Sequence, residues 1–115
     1  MSLSTESLEG KKMRVVVTGA EGIVGVGTTF SFRQQGYVVS ADYQGGHIAK
    51  GVLAGVRDGG VVRFHYSQEN TDGSVEIGRS KAFIRQVDGR LQLEEHFVWE
   101  SKSGSGVNVF EEIEG

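Results

Sequence analysis

Glu95 lies in the run Leu91-Gln92-Leu93-Glu94-Glu95-His96-Phe97-Val98-Trp99, in phase with Leu91, Leu93, Phe97 and Trp99. Alternate residues of a strand share a face, so this spacing puts a carboxylate among core side chains. A carboxylate in that position either has its pKa raised by loss of water or takes a cationic partner. Arg79, in phase with Val75 and Ile77, is the expected partner. Tyr66, two residues after Phe64, and Tyr43, in phase with Val39 and Ala41, would supply hydroxyls, and Trp99 a stacking wall. Glu95, Arg79, Tyr66, Tyr43 and Trp99 thus describe an apolar pocket with a few polar anchors, the usual make-up of a small-molecule site. They also have a purely structural reading, because aromatics at period two fill cores, arginines snorkel and a glutamate at a barrel mouth stays wet.

A second set lies on the opposite strand faces. Arg63 and His65 alternate with Val62, Phe64 and Tyr66, and Glu94 and His96 alternate with Leu93, Glu95 and Phe97. If cross-strand pairing brings His65 near Glu94 or His96, the set suggests acid–base chemistry or a pH-sensitive contact, although an exposed polar face has the same pattern. The enzymatic alternative is therefore Glu95 or His96 acting as an acid–base group on a small carboxylate or acyl substrate. No serine has the context of a nucleophile elbow, and Ser103-Gly104-Ser105-Gly106 reads as a turn.

The composition narrows the remaining classes. With no cysteine, and with His47, His65 and His96 widely spaced, no metal site is expected. The formal charge of −3, with basic residues scattered along the chain, gives no footprint for nucleic acid or an anionic membrane. No apolar run approaches the roughly 20 residues of a membrane helix, and the N-terminus lacks the layout of a signal peptide. The expected compartment is the cytoplasm.

The stretch MRVVVTGAEGIVGVG, residues 13–27, followed by RQQGYVVSADY, resembles the first strand, glycine turn and second strand of NAD-dependent epimerases and short-chain dehydrogenases. A dinucleotide site needs a helix between those strands, its N-terminus facing the pyrophosphate. Gly25-Val26-Gly27-Thr28-Thr29-Phe30-Ser31-Phe32 instead has two glycines, adjacent threonines and alternating aromatics, a poor helix and a good strand. Thr18-Gly19-Ala20-Glu21-Gly22 then reads as the first hairpin connection, and no cofactor is expected.

Eighteen glycines and no proline favour strands joined by tight turns. Short β-type runs fall at Met13–Thr18, Gly25–Arg33, Tyr37–Tyr43, His47–Val56, Val61–Ser67, Ser74–Val87, Arg90–Glu100 and Val107–Ile113. Residues 1–12 are polar and aperiodic and read as a disordered tail, leaving a single domain over 13–113. The expected fold is all-β, an antiparallel up-and-down meander of about eight strands closing into a small barrel. Val107–Phe110 would pair with Met13–Thr18 to close it, or with another copy to form a homodimer.

The segment SFRQQGYVVSADYQGGHIAKGVLAGVRDGGVVRFHYSQENTDG, with the later LQLEEHFVW, resembles a group of small bacterial proteins of about 110 residues. They share a tyrosine, a Gly-Gly turn, a Gly-x-Leu-x-Gly step and a Glu-x-x-x-Trp strand. Members often carry the label N-acetylglutamate synthase, but Arg33-Gln34-Gln35-Gly36-Tyr37-Val38 matches only part of an acetyltransferase turn and leads into a strand. The resemblance implies a lipocalin-like or avidin-like barrel of unassigned activity. The leading expectation is a barrel binding a small ligand in its interior, and the remaining class is a homo-oligomeric interaction module.

Overall fold

The computed structural model describes residues 3–18, 25 and 27–113. Eight strands follow one another: β1 (Lys12–Val17), β2 (Thr29–Gln35), β3 (Val38–Gly45), β4 (Ile48–Asp58), β5 (Val61–Asn70), β6 (Val75–Val87), β7 (Arg90–Trp99) and β8 (Ser105–Glu112). Each pairs antiparallel with the next, and β1 pairs with β8, with Val15 opposite Phe110, so the sheet closes into a barrel without free edges. The expected all-β meander is the observed fold. A strand, β2, occupies the stretch where a dinucleotide site would need its helix. The expected connection at residues 19–22 lies outside the described residues.

Turn chemistry fixes the hairpin registers. Asp88 and Gly89 join β6 to β7 with φ of 52° and 79°, the paired positive angles of a type I′ turn. Between turns β3, β5 and β7 alternate, burying Val39, Ala41 and Tyr43 of β3, Val62, Phe64 and Tyr66 of β5, and Leu91, Leu93, Phe97 and Trp99 of β7.

An eight-stranded barrel is only just wide enough to be filled by side chains or to hold one small ligand. Here large rings are accommodated by glycine on the neighbouring strand. Tyr43 stands opposite Gly51 and Tyr66 opposite Gly78, and a Cβ at either glycine would collide with the facing tyrosine ring. At Gly55 a Cβ would run into the β5 backbone at Arg63 and Phe64. The Gly-x-Leu-x-Gly step is therefore a packing device, in which Leu53 points inward between two points of close approach.

The polar character of residues 1–12 argues for a tail, but residues 3–11 lie across the end of the barrel formed by the β2–β3, β4–β5 and β6–β7 turns. Leu8 is fully buried in the core, and one apolar side chain in a polar segment is too weak a pattern to register as an element. The Ser4 amide donates to the Ile84 carbonyl at 2.7 Å and the Leu8 amide to Gln34 Oε1 at 3.0 Å. Arg57 fastens the strap, donating to the carbonyls of Gly59 (2.7 Å), Glu6 (2.6 Å) and Ser4 (3.0 Å) and to Gln34 Oε1 (2.9 Å). That end is closed. The opposite rim carries the β3–β4, β5–β6 and β7–β8 turns.

Candidate functional site

Inside the barrel, Phe30, Tyr43, Tyr66, Glu95, Phe97 and Trp99 surround a cavity, together with Leu53, Phe64, Gln68 and Asn108. Three features of the strands place the polar groups there. Glu95 takes the inward phase of β7, Asn108 precedes the fully buried Phe110 by two on β8, and Gln68 continues the inward row of Phe64 and Tyr66 on β5. Phe30 and Tyr43, stacked at 4.7 Å, wall one side, with Phe30 backed by the core ring of Phe110 at 4.3 Å. Trp99 walls the other, edge-on to Tyr66 at 5.6 Å and Phe97 at 5.8 Å, with the Lys102 ammonium 4.8 Å from the indole ring.

Glu95 is held by two donors: Ser80 Oγ donates to Oε2 at 2.6 Å and Asn108 Nδ2 to Oε1 at 2.9 Å. Burial pushes its carboxyl above the usual carboxylate range, and the Ser80 and Asn108 hydrogen bonds oppose that shift only in part. No cation pairs with it among the described residues. Burial, followed by the nearby Glu95 charge, likewise pushes the Tyr43 and Tyr66 hydroxyls well above the ordinary tyrosine value.

The two tyrosines differ in what they bond. Tyr43 donates to Gln68 Oε1 at 2.9 Å, Gln68 Nε2 donates to Asn70 Oδ1 at 3.1 Å, and Asn70 Nδ2 donates to Ser74 Oγ at 3.0 Å. This chain runs from the cavity to the β5–β6 turn at the rim. The Tyr66 hydroxyl is buried with no hydrogen-bond partner among the described residues, an arrangement that costs a folded protein about 1–3 kcal/mol. The free space between these groups takes about one water molecule.

Four of the five residues expected to form a pocket, Glu95, Tyr66, Tyr43 and Trp99, line this cavity. Arg79 does not. Its side chain is 58% exposed on the outer face, 3.5 Å from Glu100. The sequence phase misleads here because Val75 and Ile77 are themselves exposed, while the inward row of β6 is Gly78, Ser80, Ala82 and Ile84. Small residues occupy it to make room for the rings of β5 and β7. Ser80, Asn108 and Gln68 were not singled out from the sequence, although each sits in phase with a residue now in the core.

His96 faces outward, its Nε2 2.8 Å from Glu94, so it and Glu95 share no site. His65 pairs across to Arg79 and His96 to Lys81, with β6 separating the two histidines. The Arg33-Gln34-Gln35-Gly36 stretch ends β2 and turns into β3 rather than opening a helix. Among the described residues no three His, Asp or Glu side chains converge as metal ligands, and no helix is long and apolar enough to cross a membrane.

A family model described as avidin-like protein matches residues 6–113. That span includes Glu6 and Leu8 of the strap. Neither the curated proteins nor the solved structures yield a match.

Proposed function

The chain belongs to the avidin-like protein family, and on that premise we propose that it binds a small molecule inside the barrel through a cationic N–H group, an ammonium or amidinium. The carrying observation is the buried Glu95 carboxylate, facing the same cavity as the Tyr66 hydroxyl, with no cationic partner for the one and no hydrogen-bond partner for the other among the described residues. A carboxylate in an apolar cavity gains most from a charged N–H donor, which supplies the missing countercharge and a charge-assisted hydrogen bond. The Tyr66 oxygen accepts a second N–H. Tyr43, whose proton is committed to Gln68, offers a further acceptor.

The rings of Phe30, Phe97 and Trp99 set the rest of the preference, since a cation flanked by aromatic faces is stabilised by their quadrupoles. The void beside Glu95 is water-sized, so the cationic group displaces that volume and the surrounding side chains give way to admit it, while the body of the ligand extends toward the rim, past Trp99 and Lys102. The strap blocks the other end. Binding of the folded state alone raises stability by about 2.7 kcal/mol at a hundredfold excess over Kd. Thermal-shift titration with methylammonium, acetamidinium and acetamide tests this reading: the two cations raise the melting temperature of the wild type and not of Glu95→Gln. Equal shifts in both proteins, or none in either, would remove its basis.

A further inference from the structure

The outer faces of β5, β6 and β7 carry a basic groove that the interior site does not use. Arg63, His65, Arg79, Lys81 and His96 line it, flanked by Val56 and Val98, around a volume of about 650 Å³. Among the described residues no acidic side chain contributes to the lining, in a chain whose fifteen Asp and Glu outnumber its twelve Lys and Arg. The basic residues that look scattered in the sequence are gathered by the register. Arg63 stands opposite Lys81, Lys81 opposite His96, and His65 opposite Arg79.

Side chains paired in this way have Cβ atoms about 5 Å apart, and like charges in that relation destabilise a sheet. What offsets them lies at the margin: Glu100 reaches Arg79 at 3.5 Å and Glu94 reaches His96 at 2.8 Å. Exposed ion pairs of this kind contribute little. Arg63 and Lys81 form no ion pair among the described residues, and Lys81 only leans over the Phe83 ring at 5.5 Å. Barrel folding does not require this concentration of charge.

We propose that the groove is a second binding site, for a small organic anion carrying two phosphate groups. Arg63, Arg79 and Lys81 are three cationic side chains on adjacent strands, so a single monoanion leaves most of the field uncompensated, whereas two adjacent phosphates answer it. From β5 to β7 is two strand spacings, about 10 Å, room for two linked phosphates and a short organic body but not for an extended run of nucleic-acid backbone. Guanidinium groups match phosphate oxygens in pairs, and Val56 and Val98 give the organic body an apolar edge. A second copy of the chain is a poor occupant, because a two-fold contact centred here sets Arg63, Arg79 and Lys81 against themselves.

The test is an amide NMR titration of the protein at low ionic strength with pyrophosphate and with adenosine diphosphate. The expected result is saturable shifts at Arg63, Arg79, Lys81 and His96 with both probes, the nucleotide binding more tightly. Added salt weakens both, and the double variant Arg63→Ser/Lys81→Ser weakens both by at least about tenfold, a difference of about 1.4 kcal/mol. Both substitutions are on exposed side chains, and an otherwise unchanged spectrum verifies the fold. Glu95→Gln binds the probes as wild type does, which separates this site from the interior one. No saturable shift, undiminished binding in the double variant, or pyrophosphate binding without nucleotide binding overturns the proposal.

Discussion

Glu95 on β7 and Tyr66 on β5 face one cavity across β6, and no hydrogen bond joins the carboxylate to the hydroxyl. Glu95 spends its oxygens on Ser80 and Asn108, and the Tyr66 ring is set against Gly78. Two buried polar groups thus face one cavity with bonding capacity unspent. Such pairs weaken a fold that merely has to be stable, and they suit one that waits for a ligand.

Tyr66→Phe removes a hydroxyl that bonds to none of the described residues and leaves the ring in place. It is expected to stabilise the unliganded protein by about 1 kcal/mol, a rise of several degrees in Tm for a domain of this size. The same change weakens acetamidinium binding. A loss of stability on this substitution would show that the hydroxyl has a partner in solution.

The stability effect of Glu95 depends on pH with a definite sign. Its folded-state pKa is raised, so the folded protein holds the proton more tightly than the unfolded chain. The favourable contribution is complete below the unfolded carboxylate value, about 4.3, and is lost as pH rises through the folded one. Glu95→Gln is therefore expected to be more stable than wild type at neutral pH by about 1–3 kcal/mol. Urea denaturation across pH checks this: the gap narrows on acidification into the ordinary carboxylate range, and a constant gap contradicts it.

Gly78→Ala places a methyl group against the Tyr66 ring and hydroxyl and the Val98 carbonyl. Overpacking of this kind costs about 1–3 kcal/mol. Chemical denaturation of Gly78→Ala, and of Gly51→Ala against the Tyr43 ring, measures it. Gly89→Ala is not an equivalent control, because that position is strained by its positive φ rather than by a neighbour.

Arg57 donates four hydrogen bonds, two to the strap, one to the β4–β5 turn and one to the Gln34 side chain on β2, all to neutral oxygens. Arg57→Met keeps much of the apolar stem and removes every donor. Amide hydrogen exchange at Ser4 and Leu8 is expected to rise by at least about tenfold, with core amides of β7 changing less. Uniform loss of protection across the barrel would mean that strap and barrel open together.

The fold was legible because its signals are local and repeated. Period-two alternation in β3, β5 and β7, and glycine turns such as Asp88-Gly89, determine the strands and their order. The site was legible where the inward row is large: Tyr43, Tyr66, Glu95 and Trp99 each sit in phase with core side chains. It was not legible on β6, where the buried row Gly78-Ser80-Ala82 is small and the exposed row Val75-Ile77-Arg79 is more apolar at its start. Hydrophobicity there points to the wrong face. The strap was missed because a single buried Leu8 makes no pattern, and the basic groove because it exists only through pairing between strands.

The most direct measurement is the pH titration of the Glu95 carboxyl carbon by NMR, without ligand and with saturating acetamidinium. The free protein should show a midpoint above the ordinary carboxylate range, and the bound cation should draw it down. A midpoint already in the ordinary range, and unmoved by the cation, would contradict a buried carboxylate kept for a cationic ligand.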